Sequence, residues 1–90
     1  MIKTVWKFNL NDNQGVLKVP KDSEILDVQL EFSEYYIWFL VNPENETELR
    51  SFDIYITGES IEYDIGTDKK YIKSINDRGV IWHIFENIGM

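Results

Sequence analysis

YYIWFLV, from Tyr35 to Val41, is the stretch that decides the fold of this chain. Its seven residues are apolar or aromatic without interruption, so a strand built from them is apolar on both faces. Such a run is typical of a central strand that other elements cover on two sides. We therefore expect Tyr35 to Val41 to form the centre of the core.

Apolar residues elsewhere in the chain recur with a period of two, and no window shows a sustained helical stripe. The chain therefore belongs to the all-β class, with about seven short antiparallel strands forming a small barrel or sandwich. Besides the central strand, the predicted strands are Ile2–Phe8, Val16–Val19, Leu26–Phe32, Ser51–Ile56, Lys70–Ile75 and Gly79–Glu86.

The alternation also predicts which side chains are buried. In the third strand the even-numbered residues from Leu26 to Phe32 share the apolar face, and in the fifth strand those from Phe52 to Ile56 point inward. Between strands, NPENETE (Asn42–Glu48) is predicted to be a loop.

Length and composition limit what the chain can be. Ninety residues predict one compact β domain, 1–90, and the chain contains no cysteine, which excludes thiolate zinc sites and thiol nucleophiles. No apolar run reaches the roughly 20 residues of a bilayer span, and MIKTVWKFNL lacks the pattern of a signal peptide. We expect a soluble, cytoplasmic protein that does not act on membranes.

Negative charge is concentrated in the middle of the chain. The net charge is -7, and residues 22 to 68 carry thirteen acidic side chains against Arg50 alone. Because binding to duplex nucleic acid depends on basic side chains that displace counterions, we expect no duplex nucleic acid as a partner. An acidic surface suits a basic partner protein or serves solubility.

His83 is the one histidine, and it lies in the last predicted strand between apolar and aromatic residues. Imidazole in such a strand most often bonds a backbone carbonyl or a carboxylate and has a structural role. Binding a ligand is the alternative. Nucleophilic catalysis is not indicated, because the serines lack a nucleophile-elbow motif.

Tyrosines and a Thr-Gly pair are the candidates for a binding site. Tyrosine brings a flat apolar ring with a polar tip, and a hydroxyl beside an unencumbered amide can hold a phosphate or ribose. Basic residues between Lys69 and Arg78 can supply charge for such an anion. The candidate residues are Tyr55, Thr57, Gly58, Tyr63, Lys70, Tyr71, Lys73 and His83.

Several strings in order resemble a family of small proteins encoded by bacteriophages and prophages and described as a domain of unknown function. They are TVWKF, PKDSEILDV, IWFLVNP, RSFDIYITG, YIKS and IWHIF, and they span nearly the whole chain. The resemblance implies a compact β domain of phage origin, with His83 on the family's pattern. Similar proteins often carry a histidine where this chain has Glu59, which puts a carboxylate beside Thr57 and Gly58.

Three functions from different classes fit these observations. The first is a non-enzymatic phage accessory protein that sequesters a host defence factor, either a protein or a nucleotide-like signal. The second is a structural or adaptor component of the virion or replication apparatus. The third is a small metal-dependent hydrolase using carboxylates such as Asp64 and Asp68. The first requires no cofactor or metal, and a homo-oligomer would enclose a ligand that so small a domain cannot enclose alone.

Overall fold

The computed structural model describes residues 1–63 and 65–89, and it confirms the all-β class. In this described part the chain forms seven strands and one short 3₁₀ turn, Asp12–Gly15. The strands are β1 (Thr4–Asn9), β2 (Val16–Pro20), β3 (Glu24–Glu31), β4 (Glu34–Val41), β5 (Thr47–Ile56), β6 (Thr67–Asp77) and β7 (Val80–Gly89).

The strands form two open sheets rather than one closed barrel. One sheet has the order β1-β4-β3 and the other the order β2-β5-β7-β6. The pairs β1–β4, β3–β4, β5–β7 and β6–β7 are antiparallel. The contacts between residues divide the chain into two compact units, Met1–Arg50 and Ser51–Met90. The boundary falls within β5, between Arg50 and Ser51.

In the first unit β4 is the central strand of the three-stranded sheet, as predicted. One face of β4 is fully buried, with Ile37, Phe39 and Val41 each at 0 % exposure. On the opposite face Tyr36, Trp38 and Leu40 are only half-buried. The prediction that β4 is covered on two sides therefore holds for one face in full and for the other in part.

The hairpin between β3 and β4 corrects two predictions about the third strand. Phe32 was expected on the apolar face, but it lies in the two-residue turn with Ser33 and is fully exposed. Both residues have positive φ, 49° and 67°, as a type I′ turn requires. Leu26 is also exposed, because a bulge between Ile25 and Asp27 takes it out of the pairing register.

In the second unit β7 pairs with β5 on one side and with β6 on the other. Its core residue Ile84 is fully buried, and Phe52 on β5 is 3 % exposed. Ile56, which was expected to point inward, is 37 % exposed at the end of β5. The β6–β7 hairpin turns at Arg78 and Gly79, both with positive φ, and the Gly79 amide donates to Asn76 Oδ1.

Several strand ends differ from the predictions: β1 begins at Thr4, β3 begins at Glu24 and β7 continues to Gly89. β5 begins at Thr47, inside the loop predicted over Asn42–Glu48, and β6 extends beyond both predicted ends, 70 and 75. The residues added to β6 are polar and pair with β7 through their backbones. Hydrophobic periodicity does not detect such residues, because it reports burial and not hydrogen bonding.

Candidate functional site

Alternation along β7 separates a buried face of the second unit from an open one. Ile84 and Glu86 are buried, whereas His83 and Phe85, which alternate with them along the strand, are half-buried on the opposite face. Tyr55 of β5 lies directly opposite His83, and Tyr71 of β6 lies directly opposite Phe85. Directly opposed residues share a face of a sheet. We call this surface, made of Tyr55, Tyr71, His83 and Phe85, the aromatic face.

The rings of the aromatic face pack edge to face around Phe85. Tyr55 and Phe85 have centroids 5.7 Å apart at 72°, and Tyr71 and Phe85 have centroids 5.1 Å apart at 82°. Tyr71 also lies 5.8 Å from the His83 ring. Such pairs contribute about 0.5–1.5 kcal/mol each beyond area burial. The rings are therefore held in fixed orientations although Tyr71 is 49 % exposed.

His83 is held by two hydroxyl groups. Its Nε2 lies 2.7 Å from Thr57 Oγ1, and its Nδ1 lies 2.8 Å from the Tyr71 hydroxyl. Thr57 Oγ1 also lies 3.3 Å from the Ile81 carbonyl oxygen, which accepts from it. A hydroxyl has one hydrogen, so while Thr57 donates to Ile81 it accepts from His83 Nε2, and Tyr71 then donates to Nδ1; in the other tautomer Thr57 donates to Nε2 in place of Ile81. The predicted partner, a carbonyl or a carboxylate, is thus corrected to two hydroxyls.

The Thr57–His83–Tyr71 arrangement resembles a catalytic triad only in its connectivity. In a Ser-His-Asp triad a carboxylate on Nδ1 stabilises the imidazolium that forms during the reaction. Here the group on Nδ1 is the neutral phenol of Tyr71. The hydrogen bonds therefore fix the orientation of the His83 ring but supply no charge to support general-base catalysis.

An ion pair with a buried cation adjoins the rings. The ammonium of Lys69 is 2.9 Å from Asp53 Oδ2 and 2.5 Å from Asn87 Oδ1, and its side chain is only 7 % exposed. Asn87 Nδ2 in turn donates to Asp53 Oδ2 and to Ser51 Oγ, each at 3.0 Å. The rings of Tyr55 and Tyr63 lie 5.7 Å and 5.9 Å from the ammonium. The cation is thus surrounded by the carboxylate, the amide and the two rings.

Each charge of this pair shifts the pKa of the other. Burial alone raises the pKa of Asp53, but hydrogen bonds from Lys69, Asn87 and Tyr55 outweigh burial and hold the pKa below its ordinary value. Burial alone lowers the pKa of Lys69, but hydrogen bonds to Asp53 and Tyr55 outweigh it and raise the pKa. Lys69 is therefore a neutralised cation, poorly suited to meet a ligand anion.

Five of the predicted binding residues come together at or beside the aromatic face. Tyr55, Tyr71 and His83 belong to it, Thr57 holds His83, and Tyr63 lies over the ammonium of Lys69. Gly58 follows at the end of β5 with φ +93 and open space where a Cβ would stand.

The two predicted lysines lie on the other face of the sheet. Lys70 stands opposite the buried Glu86, and Lys73 stands opposite the buried Ile84. Strict alternation would place Lys73 on the same face as Tyr71, but a bulge between these two residues reverses it. The expected combination of tyrosines with Lys70 and Lys73 is therefore not formed.

Sequence reasoning considered Lys69 as a charge for an anion and missed that it pairs with Asp53 and Asn87. The sequence does contain a sign of this pairing, because residues two apart in a strand share a face of the sheet. Asp53 is two residues from Tyr55, Lys69 is two from Tyr71, and Asn87 is two from Phe85. Pairing β5 and β6 to β7 from the same hydrophobic pattern would have brought the three polar residues together.

The carboxylate of Glu59 lies beside Thr57 and Gly58, the predicted anion site. Glu59 Oε1 accepts from the Ile56 amide at 3.1 Å, one residue before Thr57. The Thr57 hydroxyl is itself engaged with His83 and the Ile81 carbonyl. A negative charge and an occupied hydroxyl both oppose phosphate binding at this turn.

No metal-binding cluster of three or more histidine or acidic side chains occurs in residues 1–63 and 65–89. Asp64, one of the two carboxylates considered for a hydrolase, lies outside the described residues. The described part of the chain also contains no helix of the length and apolar character needed to cross a membrane.

These features define an all-β protein with two open sheets and an aromatic face on the β5-β7-β6 part of the second. The chain belongs to the family called Domain of unknown function (DUF7352), whose model matches residues 1–89. This match confirms the predicted membership in a domain-of-unknown-function family, and the phage origin stays a prediction. No curated protein and no solved structure matches the chain.

Proposed function

We propose that this protein is a non-enzymatic phage accessory protein that sequesters a host protein, and that the aromatic face of the second unit makes the contact. The observation that carries the proposal is the partly exposed set of oriented rings, Tyr55, Tyr71, His83 and Phe85. Aromatic side chains held in place are the residues most often responsible for binding energy at protein interfaces.

The charges beside the aromatic face favour a protein over a nucleotide. A phosphate requires a cation with open donors, whereas Lys69 is 7 % exposed and bonded to Asp53. Lys70 and Lys73 are on the opposite face. The exposed Glu59, which accepts from the Ile56 amide one residue before Thr57, adds negative charge. A basic partner protein therefore meets complementary charge, and a nucleotide meets repulsion.

The host as the source of the partner follows from the resemblance to phage-encoded proteins. A small accessory protein acts on the molecules of the cell in which it is made. Sequestration needs a persistent complex and no chemistry, which agrees with a His83 held by neutral hydroxyls.

Site-specific photo-crosslinking tests the proposal. A photo-reactive phenylalanine analogue replaces Tyr71, which is 49 % exposed on the aromatic face, or Val80, which is 39 % exposed on the other face of β7. We expect a bacterial host protein that crosslinks from position 71 and not from position 80. This partner is then purified and titrated calorimetrically.

The binding constants decide between the candidate ligands. Tyr71→Ala should weaken binding of the purified partner at least about thirtyfold, the effect of a hot-spot side chain worth about 2 kcal/mol, whereas Val80→Ala should leave it unchanged. Equal crosslinking from both positions, or equal affinity of both variants, would contradict the proposal. If the parent protein binds a nucleotide and Tyr71→Ala abolishes that binding, the aromatic face is a site for the nucleotide-like signal and not for a host protein.

A further inference from the structure

A second partly exposed apolar surface lies on the outer face of the three-stranded sheet in the first unit. Tyr36, Trp38 and Leu40 are half-buried along β4, and Val5, opposite Leu40, is 52 % exposed. Lys7 lies over this stripe, with its ammonium 4.2 Å from the centroid of the Tyr36 ring and 5.4 Å from that of the Trp38 ring. The central stripe is therefore apolar and partly open to solvent.

Opposite charges flank the apolar stripe. On the β1 side Lys7 stands opposite Trp38, and Lys3 precedes the strand by one residue. On the β3 side Glu24 stands opposite Leu40 and Asp27 stands opposite Trp38. β1, the basic edge, thus carries the lysines, and β3, the acidic edge, carries the carboxylates. Lys7 and Asp27 lie level with each other because both pair with Trp38. The Lys7 ammonium itself reaches across β4 to Glu31 Oε1 at 2.8 Å, so a contact with Asp27 of another copy would replace this bond.

This pattern is complementary to itself. When a second copy is rotated by a two-fold axis parallel to β4, β4 stacks on β4 and β1 of each copy faces β3 of the other. Lys7 of one copy then lies level with Asp27 of the other. A two-fold axis perpendicular to the strands would instead stack β1 on β1. Lys7 of one copy would then face Lys7 of the other, and the two positive charges would repel each other.

We propose that the outer face of the three-stranded sheet is a homodimer interface, with β4 on β4 and the basic edge of each copy on the acidic edge of the other. Two sheets stacked face to face bury alternate side chains about 10 Å apart, which suits the aromatic stripe. The interface uses no residue of the aromatic face, so it can be tested separately from partner capture.

The dimensions of the sheet predict a weak dimer. Three strands about 4.8 Å apart, with eight residues rising about 3.3 Å each, give a face of roughly 14 by 26 Å. That footprint of about 360 Å² is less than half of the roughly 800 Å² per partner that a standard specific interface buries, and an interface of this size is weak and transient. We therefore expect an equilibrium of monomer and dimer that shifts with protein concentration and weakens with salt.

Sedimentation equilibrium of the full chain, from about 10 μM to about 1 mM and at low and high salt, measures this association. Two charge-reversed variants test the geometry: Lys3→Glu with Lys7→Glu makes both edges acidic, and Glu24→Lys with Glu31→Lys makes the β3 edge basic. Both variants lose the Lys7–Glu31 ion pair of 2.8 Å, so they are matched in that respect.

Each variant alone should dimerise about tenfold more weakly than the parent, because like charges oppose each other at the interface. An equimolar mixture of the two should form a mixed dimer as readily as the parent forms its own. A parent that stays monomeric throughout would overturn the proposal, and so would a mixture that fails to associate.

Single substitutions at exposed positions give a readout that does not depend on the ion pair. Val5→Glu places a carboxylate on β1 level with Glu24 of the other copy, because both positions pair with Leu40, and like charges there should abolish the dimer. Ile88→Glu, at a position 45 % exposed on β7, is the control and should leave the dimer unchanged. Circular dichroism establishes that each variant is folded, and a folded Val5→Glu that still dimerises would refute the assignment.

Discussion

The two charges of the Lys69–Asp53 pair are unequally buried, and this difference predicts unequal effects of removing them. The Lys69 side chain is 7 % exposed, whereas the Asp53 side chain is 38 % exposed. Asp53→Asn leaves an ammonium buried without its carboxylate. Lys69→Met leaves a carboxylate that water can reach and that still accepts from Asn87. The first substitution should therefore cost more stability than the second.

The magnitudes follow from the burial of each partner. Leaving one charge of a fully buried pair unpaired costs about 3–5 kcal/mol. Because more than a third of Asp53 is exposed, solvent screens part of its attraction, and we expect about 2 kcal/mol for Asp53→Asn. Lys69→Met keeps the apolar stem packed and should cost about 1 kcal/mol. The corresponding losses in Tm are about 10 °C and about 5 °C.

Urea unfolding followed by tryptophan fluorescence at pH 7 measures these changes in the free energy of unfolding. The double variant Asp53→Asn with Lys69→Met should be more stable than Asp53→Asn alone, because it removes the unpaired buried charge. The reasoning is refuted if Lys69→Met proves the more destabilising single change, or if the two single effects simply add in the double variant.

Three other predictions concern the titration of Asp53, the core and the β3–β4 turn. The folded pKa of Asp53 is held below its ordinary value, so the stability it provides is complete above about pH 4 and is lost as the pH falls further; acid unfolding of Asp53→Asn should lack this contribution. Ile84→Ala, at a fully buried position, should cost about 2–5 kcal/mol in urea unfolding, whereas Ile88→Ala on the same strand, 45 % exposed, should cost less than about 1 kcal/mol. Equal losses would contradict the burial of Ile84. The double substitution Phe32→Asn with Ser33→Gly supplies the residues that most readily adopt two positive φ angles. It should raise the free energy of unfolding by about 0.5–1 kcal/mol and Tm by a few degrees, and a lower Tm would argue against the type I′ turn.

The sequence by itself determined the class of the fold and the central strands. Alternation with a period of two marks strands wherever one face is buried, so the pattern from Phe52 to Ile56 and the apolar run from Tyr35 to Val41 identified β5 and β4 correctly. It also singled out His83, Tyr55, Thr57 and Tyr71, which the structure brings together.

Only the tertiary structure decided which side chains share a face, since that depends on register and on bulges. One extra residue between Tyr71 and Lys73 moved Lys73 away from the tyrosines, and another between Ile25 and Asp27 exposed Leu26. A bulge is a local backbone choice that leaves no mark in hydrophobic periodicity. The partners of His83 and Lys69 come from other strands, and such contacts exist only once pairing has set the register of the sheet.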